Sequence, residues 1–360
     1  MIRFEPRERI SARRRIGAPV LAALAALALA SLPIAAAGAP VLEAYALMAR
    51  GALGSVFALS ELLARATPLI FTGLAAAIAF RAKLWNIGGE GQLYAGALAA
   101  VAVGTGALTL PPALLIPAVM LAGALAGAAL MLVPALLKVR LGADEVVTTL
   151  LLNFVVILFV QMMLEGPMQD PMGMGWPQSE PIVDEAMLPK LLERMRVHAG
   201  LIVALVAALV VHIVLTRTVW GFETRAVGEN PEAARHAGIP VTATVLRVAC
   251  LSGALAGLAG VGEVAGLKGY LTADLSPGFG YAGIVVAMLA GLSPLGVVVA
   301  ALFIAGVFVG ADSMSRAIGV SNYLADLVVA TSLICVLISG LFVRFRVRLV
   351  RPGSAKGGGA

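Results

Sequence analysis

The sequence predicts an all-α protein, a polytopic transmembrane helix bundle of about ten spans. Of its 360 residues, 60% are hydrophobic and only 13% are charged. A soluble core of this size cannot bury so much apolar surface, so lipid must be the solvent. The apolar runs approach the roughly 20 residues that a helix needs to cross a bilayer core. They lack the two-residue alternation of lipid-facing barrel strands, which leaves helices as the spanning elements.

Apolar runs and the breaks between them place the spans in order. Together the spans form one membrane domain over residues 16–343, between a basic N-terminus at 1–15 and a basic, flexible tail at 344–360. The runs 66–80 and 281–293 are short and contain glycine, so they are expected to be broken or partly re-entrant helices. The predicted spans are 16–38, 66–80, 91–109, 112–137, 146–165, 199–216, 246–267, 281–293, 295–311 and 323–343.

The first span has an alternative interpretation. Three arginines at 13–15, an apolar run and three alanines at 35–37 together resemble a cleavable signal peptide. The apolar run at 16–41 is longer than the 7–15 residues usual for a signal peptide, which favours a retained span. Cleavage would leave the other spans in the same orientation, so charge does not decide between the two.

The positions of Lys and Arg predict the orientation of the bundle. Segments on one side of the ten-span arrangement contain 19 of the 26 basic residues. Because cytoplasmic loops are enriched in Lys and Arg, this side and both termini are predicted to be cytoplasmic. The basic residues predicted on the other side are Arg50, Arg65, Lys190, Arg194, Arg196, Lys268 and Arg316.

Several classes of function lack support in the sequence. The positive charge is spread over the ends of apolar segments, without a basic domain studded with aromatic residues, so no nucleic-acid partner is expected. Cys250 and Cys335 lie in predicted spans, and the histidines are dispersed, so neither a disulfide nor a metal site is expected. No catalytic constellation is visible, and the chain lacks the Gly-rich phosphate loop with Lys-Ser/Thr, so it should not hydrolyse ATP by that chemistry.

Two five-residue segments have the same sequence. Residues 123–127 and 253–257 both read Gly-Ala-Leu-Ala-Gly, one in each half of the chain. This repeat could reflect two related halves, although coincidence explains it equally well in a chain with 40 glycines. The small-xxx-small spacing itself predicts that helix backbones approach closely.

Two long segments connect predicted spans. The segment 166–198 is predicted to be a fixed periplasmic loop, because its five prolines resist a regular helix. The segment 217–245 is predicted to be cytoplasmic and to contain a short helix. Asn230 suits the N-cap of this helix, Pro231 its first position, and Gly238 a left-handed residue after its end. Such a helix could simply connect two spans, or it could dock into a groove of another protein.

Polar residues within apolar surroundings are candidates for a solute path. In 86–92 three glycines allow an unwound backbone, with Asn86, Glu90 and Gln92 supplying polar groups. Thr149 and Asn153 are four residues apart, so they share one face of a helix. These residues could bind a polar solute, or they could form a connecting turn and hold helices together.

Two aromatic residues and two further carboxylates complete the set of candidates. Phe279 and Tyr281 flank a glycine where a loop enters the membrane, so either ring could stack on a base or a sugar, or anchor the helix at the interface. Glu263 and Asp326 lie deep in predicted spans, where a carboxylate costs at least ~2.5 kcal/mol. They are expected to face the bundle interior or a polar cavity, either as hydrogen-bonded structural groups or as a proton relay.

Four motifs in order resemble a known family. They are 228–240, the asparagine-to-glutamine segment 86–92, the acidic start of a span at 144–153, and the Gly-Phe-Gly segment within 276–283. They resemble permeases of the bacterial ABC importers that serve branched-chain amino acids, simple sugars and nucleosides, most closely the nucleoside and simple-sugar branch. The resemblance extends over most of the chain.

The resemblance implies a multi-pass protein of the bacterial inner membrane that forms the translocation path for a small polar solute, a nucleoside or a simple sugar. It implies an ATP-binding cassette ATPase that holds ATP and magnesium, a second homologous permease, and an extracytoplasmic solute-binding protein. The alternatives are an ion-coupled secondary transporter and an ABC permease for branched-chain amino acids. The residues implied to couple to the ATPase are Glu229, Asn230, Pro231, Glu232, Arg235, His236 and Gly238.

Overall fold

The computed structural model describes residues 2–6, 24–25, 27–106 and 110–349, and it confirms the all-α class. The strands of the described chain are two segments of five residues. In chain order the elements are β1 (Ile2–Pro6), α1 (Leu27–Ala36), α2 (Val41–Leu53), α3 (Val56–Arg81), α4 (Gly89–Gly104), α5 (Pro112–Leu141), α6 (Glu145–Leu164), α7 (Gly200–Arg217), α8 (Val219–Glu229), α9 (Pro231–His236), α10 (Val241–Glu263), α11 (Phe279–Leu289), α12 (Pro294–Ile318), α13 (Asn322–Arg344) and β2 (Phe345–Leu349).

The number of long apolar helices is lower than the predicted ten spans. Among the described residues six helices are long and apolar enough to cross a membrane, and α1 with α2, bent by 116°, could make a seventh. Helices α4 and α11 have only 16 and 11 residues, which is short for a full crossing. The count of ten is therefore not confirmed, and most of the predicted span 16–38 lies outside the described residues.

The prediction that 66–80 is a broken or re-entrant helix is wrong. It forms part of α3, a continuous helix of 26 residues with Pro68 inside it. The first turns of α3 carry Glu61 and Arg65, which shorten the apolar run in the sequence. These turns extend the helix because their polar side chains find partners outside α3, as Glu61 does in an ion pair with Arg196 of the segment 166–198.

The chain divides into two compact units, residues 51–309 and residues 1–50 with 310–360. In the second unit β1 pairs antiparallel with β2, with Ile2 opposite Leu349. Strand β2 occupies residues 345–349 of the predicted tail 344–360. Asp326 is exposed on α13, and its expected place at the bundle interior or in a polar cavity stays a prediction.

The repeated Gly-Ala-Leu-Ala-Gly segments cross each other in the unit formed by residues 51–309. A methyl group added at Gly257 would overlap the carbonyl oxygen of Gly123, and one added at Gly127 would overlap that of Gly253. Helices α5 and α10 therefore touch through their backbones, which the small-xxx-small spacing predicted. Gly96 of α4 meets Gly257 in the same way, so three helices share this crossing.

One end of this unit, here called the α9 end, gathers the turns next to α8 and α9. Lys138 and Glu145 form an ion pair across the α5–α6 turn. Arg81 Nε, at the end of α3, donates to the carbonyl oxygen of Leu292 in the α11–α12 turn at 3.0 Å. The predicted cytoplasmic connection 217–245 is largely helical, because α8, α9 and the start of α10 occupy it.

The opposite end, here called the loop end, carries the proline-rich segment 166–198. This segment is irregular, as predicted, apart from a short 3₁₀ turn at Asp184–Ala186. Backbone hydrogen bonds fix it to the helices: Val183 N donates to Gly104 O at 2.8 Å, and Leu188 N donates to Ala265 O at 2.7 Å. The segment is therefore tied to the ends of α4 and α10.

Candidate functional site

The chain is not helical at residues 82–88, between α3 and α4, and this stretch includes the first three residues of the predicted asparagine-to-glutamine motif 86–92. Backbone groups that leave a helix inside an apolar bundle need other hydrogen-bond partners, because an unpaired group there costs several kcal/mol. The partners of this segment identify the residues that hold it.

Helix α6 supplies a ladder of polar side chains along one face, Glu145, Thr149 and Asn153, here called the α6 ladder. Glu145 Oε1 accepts from Trp85 N at 3.2 Å, and Thr149 Oγ1 accepts from Ile87 N at 3.2 Å. Asn153 Oδ1 accepts from the backbone N of Gly91 at 2.8 Å. The four-residue spacing brings one side chain per helical turn to the segment, so the α6 ladder replaces helical hydrogen bonds.

Asn153 makes further contacts with its amide nitrogen. Its Nδ2 donates to Ile87 O at 2.9 Å and lies 3.2 Å from the hydroxyl of Tyr281. The side chain is completely buried. Both polar atoms of Asn153 are therefore bonded within the chain.

Asn86 and Gln92 form a reciprocal amide pair. Asn86 Nδ2 donates to Gln92 Oε1 at 2.9 Å, and Gln92 Nε2 donates to Asn86 Oδ1 at 2.8 Å. Asn86 Nδ2 also donates to Ser252 Oγ of α10, whose hydroxyl donates to the Ala75 carbonyl oxygen of α3. The pair joins the start of α4 to α3 and α10.

Glu90 connects the first turns of α4 and α11. Its Oε2 accepts from the backbone N of Gly280 at 2.7 Å, and a methyl group added at Gly280 would overlap the backbone N of Glu90. The carboxylate thus lies at the N-termini of two helices, where negative charge is favourable. Thr72 of α3 supports this contact by donating to Phe279 O at 2.9 Å.

These residues form one layer midway along the helices. Asn153 is about 12 Å from the start of the 20-residue α6, and Ser252 is near the middle of the 23-residue α10. The structure thus brings together all seven predicted path residues. Of the two predicted aromatic residues, Phe279 is 3% exposed and packs against Phe308, whereas Tyr281 is 39% exposed. Of these two rings, only that of Tyr281 is exposed.

At the α9 end, the predicted short helix is present as the six-residue α9. Asn230 Oδ1 accepts from the backbone N atoms of Glu232 and Ala233, both at 3.0 Å. Gly238 has a φ of +82°, the left-handed conformation expected after the helix. Both caps predicted from the sequence are therefore present.

Helix α9 projects most of its surface away from the chain. Ala234 is its one buried residue, and the residues around it are exposed. The predicted coupling residues Glu229, Asn230, Pro231, Glu232, Arg235, His236 and Gly238 all lie on this exposed surface.

Buried ionisable groups also lie near the loop end. Glu263 is 5% exposed, and its Oε1 has no hydrogen-bond partner among the described residues. His198 Nδ1 accepts from Gly200 N at 3.2 Å, and its ring packs on Gly262 and Gly266 of α10 and its continuation. Burial lowers the pKa of His198 to about 4, so its ring is neutral at pH 7.

The sequence interpretation missed two residues that hold the segment 82–88, Glu145 at the α9 end and Ser252 in the layer. Neither was among the predicted path residues, although the spacing of 145, 149 and 153 could have identified the first. Ser252 had no such signal, because a serine in a glycine-rich helix is common. Among the described residues, no three His, Cys, Asp or Glu side chains are grouped as a metal site requires.

Comparisons with known proteins agree with this architecture. Residues 58–337 match the family described as branched-chain amino acid transport system, permease component. The glucose ABC transporter permease protein of Haloferax volcanii is 38% identical over 100% of this chain and 98% of its own length. The guanosine ABC transporter permease protein of Bacillus subtilis is 34% identical over 91% and 94%, and a nucleoside ABC transporter permease protein of Lactococcus lactis is 32% identical over 84% and 85%.

The family match extends from the start of α3 into α13, and so includes both the mid-depth layer and α9. The relatives that cover most of the chain are transport permeases, in agreement with its long apolar helices. The chain is therefore a multi-pass membrane protein that belongs to the ABC transporter permeases, in the branched-chain amino acid transport system permease family.

Proposed function

We propose that this chain is the membrane-spanning permease subunit of an ATP-driven importer for a nucleoside or a simple sugar. The solute path opens alternately to the two sides when partner ATPases close against α9. The observation that carries this proposal is the surface of α9, a doubly capped helix that buries only Ala234 and leaves Glu232 and Arg235 exposed. A helix used only as a connection has no need of two caps and an exposed charged surface.

The partners follow from the division of labour in such importers. The ATPase subunits hold ATP and magnesium, since this chain has no phosphate-binding loop and needs no cofactor of its own. A second, homologous permease completes the path as a heterodimer, and an extracytoplasmic solute-binding protein delivers the solute at the loop end.

The solute class is supported by the relatives and by the mid-depth layer. Relatives covering most of the chain are named for glucose, guanosine and nucleosides. Tyr281 presents an exposed aromatic ring beside the buried amides, and such a ring can stack on a base or on the apolar face of a sugar. The solute passes along this face, and Asn86, Glu90, Gln92, Thr149, Asn153 and Phe279 hold the backbone that forms it.

The orientation is supported by charge. The α9 end contains basic residues such as Arg81, Lys83, Lys138 and Arg140, which favour the cytoplasmic side. The pairing of β1 with β2 supports a common side for the two ends of the chain, in the bacterial inner membrane.

Charge reversal on α9 tests the proposal. Glu232 and Arg235 lie three residues apart on one helical face, so both can meet charges of the ATPase. The Glu232→Arg, Arg235→Glu variant should insert normally but lose co-purification with the ATPase or lose ATP-driven uptake. If α9 were only a connection, these exposed changes would cost no more than about 0.5 kcal/mol of stability and leave transport intact.

If this variant co-purified with the ATPase and showed solute-stimulated ATP hydrolysis at the level of the wild type, the role of α9 would be contradicted. Uptake that survives loss of the ATPase but collapses with the proton gradient would instead favour an ion-coupled transporter.

A further inference from the structure

We propose that residues 81–91, here called the connector, transmit movements of α8 and α9 to the start of α11 at mid-depth. This inference rests on the proposed function, because it assigns a route by which ATPase movements reach the solute path. It adds Gly228 and Lys83 as positioning residues, and it gives Glu90 a defined role.

The first contact joins α8 to the connector at the α9 end. A methyl group added at Gly228 would overlap the carbonyl oxygen of Arg81 and lie 3.2 Å from Ala82 Cα. The two backbones therefore touch directly, without a side chain that could yield between them. Lys83 Nζ donates to Glu229 O at 3.4 Å, just before the N-cap of α9. A displacement of α8 must therefore move Arg81 or break this contact.

Between Arg81, the last residue of α3, and Gly89, the first residue of α4, the connector is attached by side chains rather than by a helical ladder. Beyond Lys83, which has a φ of +52°, Trp85 and Ile87 donate their backbone N–H groups to Glu145 and Thr149. Such bonds involve rotatable side chains, so they can follow a shift that would disrupt a continuous helix. The α6 ladder thus acts as a guide that keeps the backbone polar groups paired.

The last contact joins the connector to α11. Glu90 Oε2 accepts from Gly280 N at 2.7 Å, and Gly280 lies against the backbone of Glu90. Tyr281, the next residue of α11, carries the exposed ring at mid-depth. One short stretch of chain therefore touches α8 at one end and the solute-facing helix at the other, as a contiguous physical route requires.

The chain offers a matched pair of glycines on α8 for the test. A methyl group at Gly228 would strike the connector, whereas one at Gly221 would strike Val214 O and Leu215 O of α7. Gly228→Ala and Gly221→Ala therefore disturb the packing of the same helix in similar ways, and only the first disturbs the proposed route. Lys83→Asn is a second variant. Asparagine tolerates the left-handed backbone at position 83, but its side chain is too short to reach Glu229 O.

The experiment compares these variants in the complete transporter with its ATPase, reconstituted with the solute-binding protein, with guanosine and glucose as probes. The readouts are ATPase co-purification, solute-stimulated ATP hydrolysis, and solute imported per ATP hydrolysed. Gly228→Ala should keep the ATPase and its hydrolysis while import per ATP falls about tenfold. Lys83→Asn should change the same ratio in the same direction, and Gly221→Ala should leave it unchanged.

Three results would overturn the inference. If both Gly228→Ala and Lys83→Asn imported as much solute per ATP as the wild type, the connector would not transmit the movement. If Gly221→Ala lost as much import per ATP as Gly228→Ala, any disturbance of α8 would explain the effect. If the wild-type complex took up neither probe in an ATP-driven manner, the proposed function would be refuted, and the route with it. If the wild type imported solute normally and the variants had the same import per ATP, only the route would be refuted.

Discussion

Asn153 illustrates how a polar residue within a membrane helix can hold backbone rather than bind solute directly. Its oxygen pairs with Gly91 N and its nitrogen with Ile87 O, so its polar atoms are already in use. The sequence left two roles open for Asn153, which were to bind solute or to hold helices together. The contacts favour an indirect role, in which Asn153 fixes the segment that leads to α4.

Replacing Asn153 with leucine tests this role. Asn153→Leu keeps similar bulk but leaves Gly91 N–H and Ile87 O without their partner, at a cost of about 1–3 kcal/mol for each unpaired group. We expect normal insertion, a lower thermal midpoint and reduced uptake. The control is Phe154→Leu, at a 57% exposed position of the same helix. Uptake unchanged in well-assembled Asn153→Leu would show that these bonds are dispensable.

His198 predicts a pH dependence of stability. Its pKa is about 4 in the folded chain and about 6.5 when unfolded, so the unfolded state binds more protons below pH 6.5. Stability should therefore fall as the pH decreases from about 6.5 towards 4, by about 2 kcal/mol at pH 5 from this residue.

The measurement compares thermal unfolding of the purified wild type and His198→Phe at pH 7.5 and pH 5. Phenylalanine keeps a ring on Gly262 and Gly266 but cannot titrate. The difference between the two pH values should be smaller in the variant. Equal pH sensitivity in both proteins would mean that other groups account for the acid effect.

At the scale of elements, the crossing of α5 and α10 depends on the absence of side chains. Gly257→Ala would push a methyl group into the backbone of Gly123, and such overpacking typically costs about 1–3 kcal/mol. Gly262→Ala on the same helix is the matched control, since its nearest neighbour would be 3.8 Å away. Gly257→Ala should lower the thermal midpoint and the monodisperse yield in detergent. If both variants behaved like the wild type, the crossing would be looser than the structure indicates.

Elements whose causes are local could be predicted from the sequence. Helix α9 is one, because Asn230, Pro231 and Gly238 set its ends within a few residues of chain. The connector is different. Its glycines indicated an unwound backbone over 86–92, but the non-helical stretch is 82–88 and α4 already begins at Gly89. Its partners Glu145 and Ser252 lie about 60 and 166 residues away along the chain. Periodicity describes one helix at a time and carries no information on which helix lies opposite.

For the whole molecule, composition alone was sufficient to predict a membrane bundle, and apolar runs located most of its helices. Their lengths were harder to predict. Helix α3 is longer than its apolar run because Glu61 and Arg65 sit in its first turns, and α11 is short because a loop carries the chain to mid-depth before the helix begins. Hydropathy marks the stretches that avoid water, whereas tertiary partners decide how far a helix continues beyond them.

The arrangement of the two ends of the unit formed by residues 51–309 leads to a topology prediction. The proline-rich segment is bonded to the ends of α4 and α10, and α9 lies at the other end with most of the basic loops, so 190 and 235 should lie on opposite sides of the membrane. Residue 355 should share the side of 235, because 19 of the 26 basic residues fall on the predicted cytoplasmic side. Reporter fusions active only in the periplasm should therefore be active at 190 and silent at 235 and 355. Reporters active only in the cytoplasm should give the reverse pattern at each position, which controls for expression. The same side for 190 and 235 would refute the assignment of α9 to the cytoplasm, and with it the docking of an ATPase there.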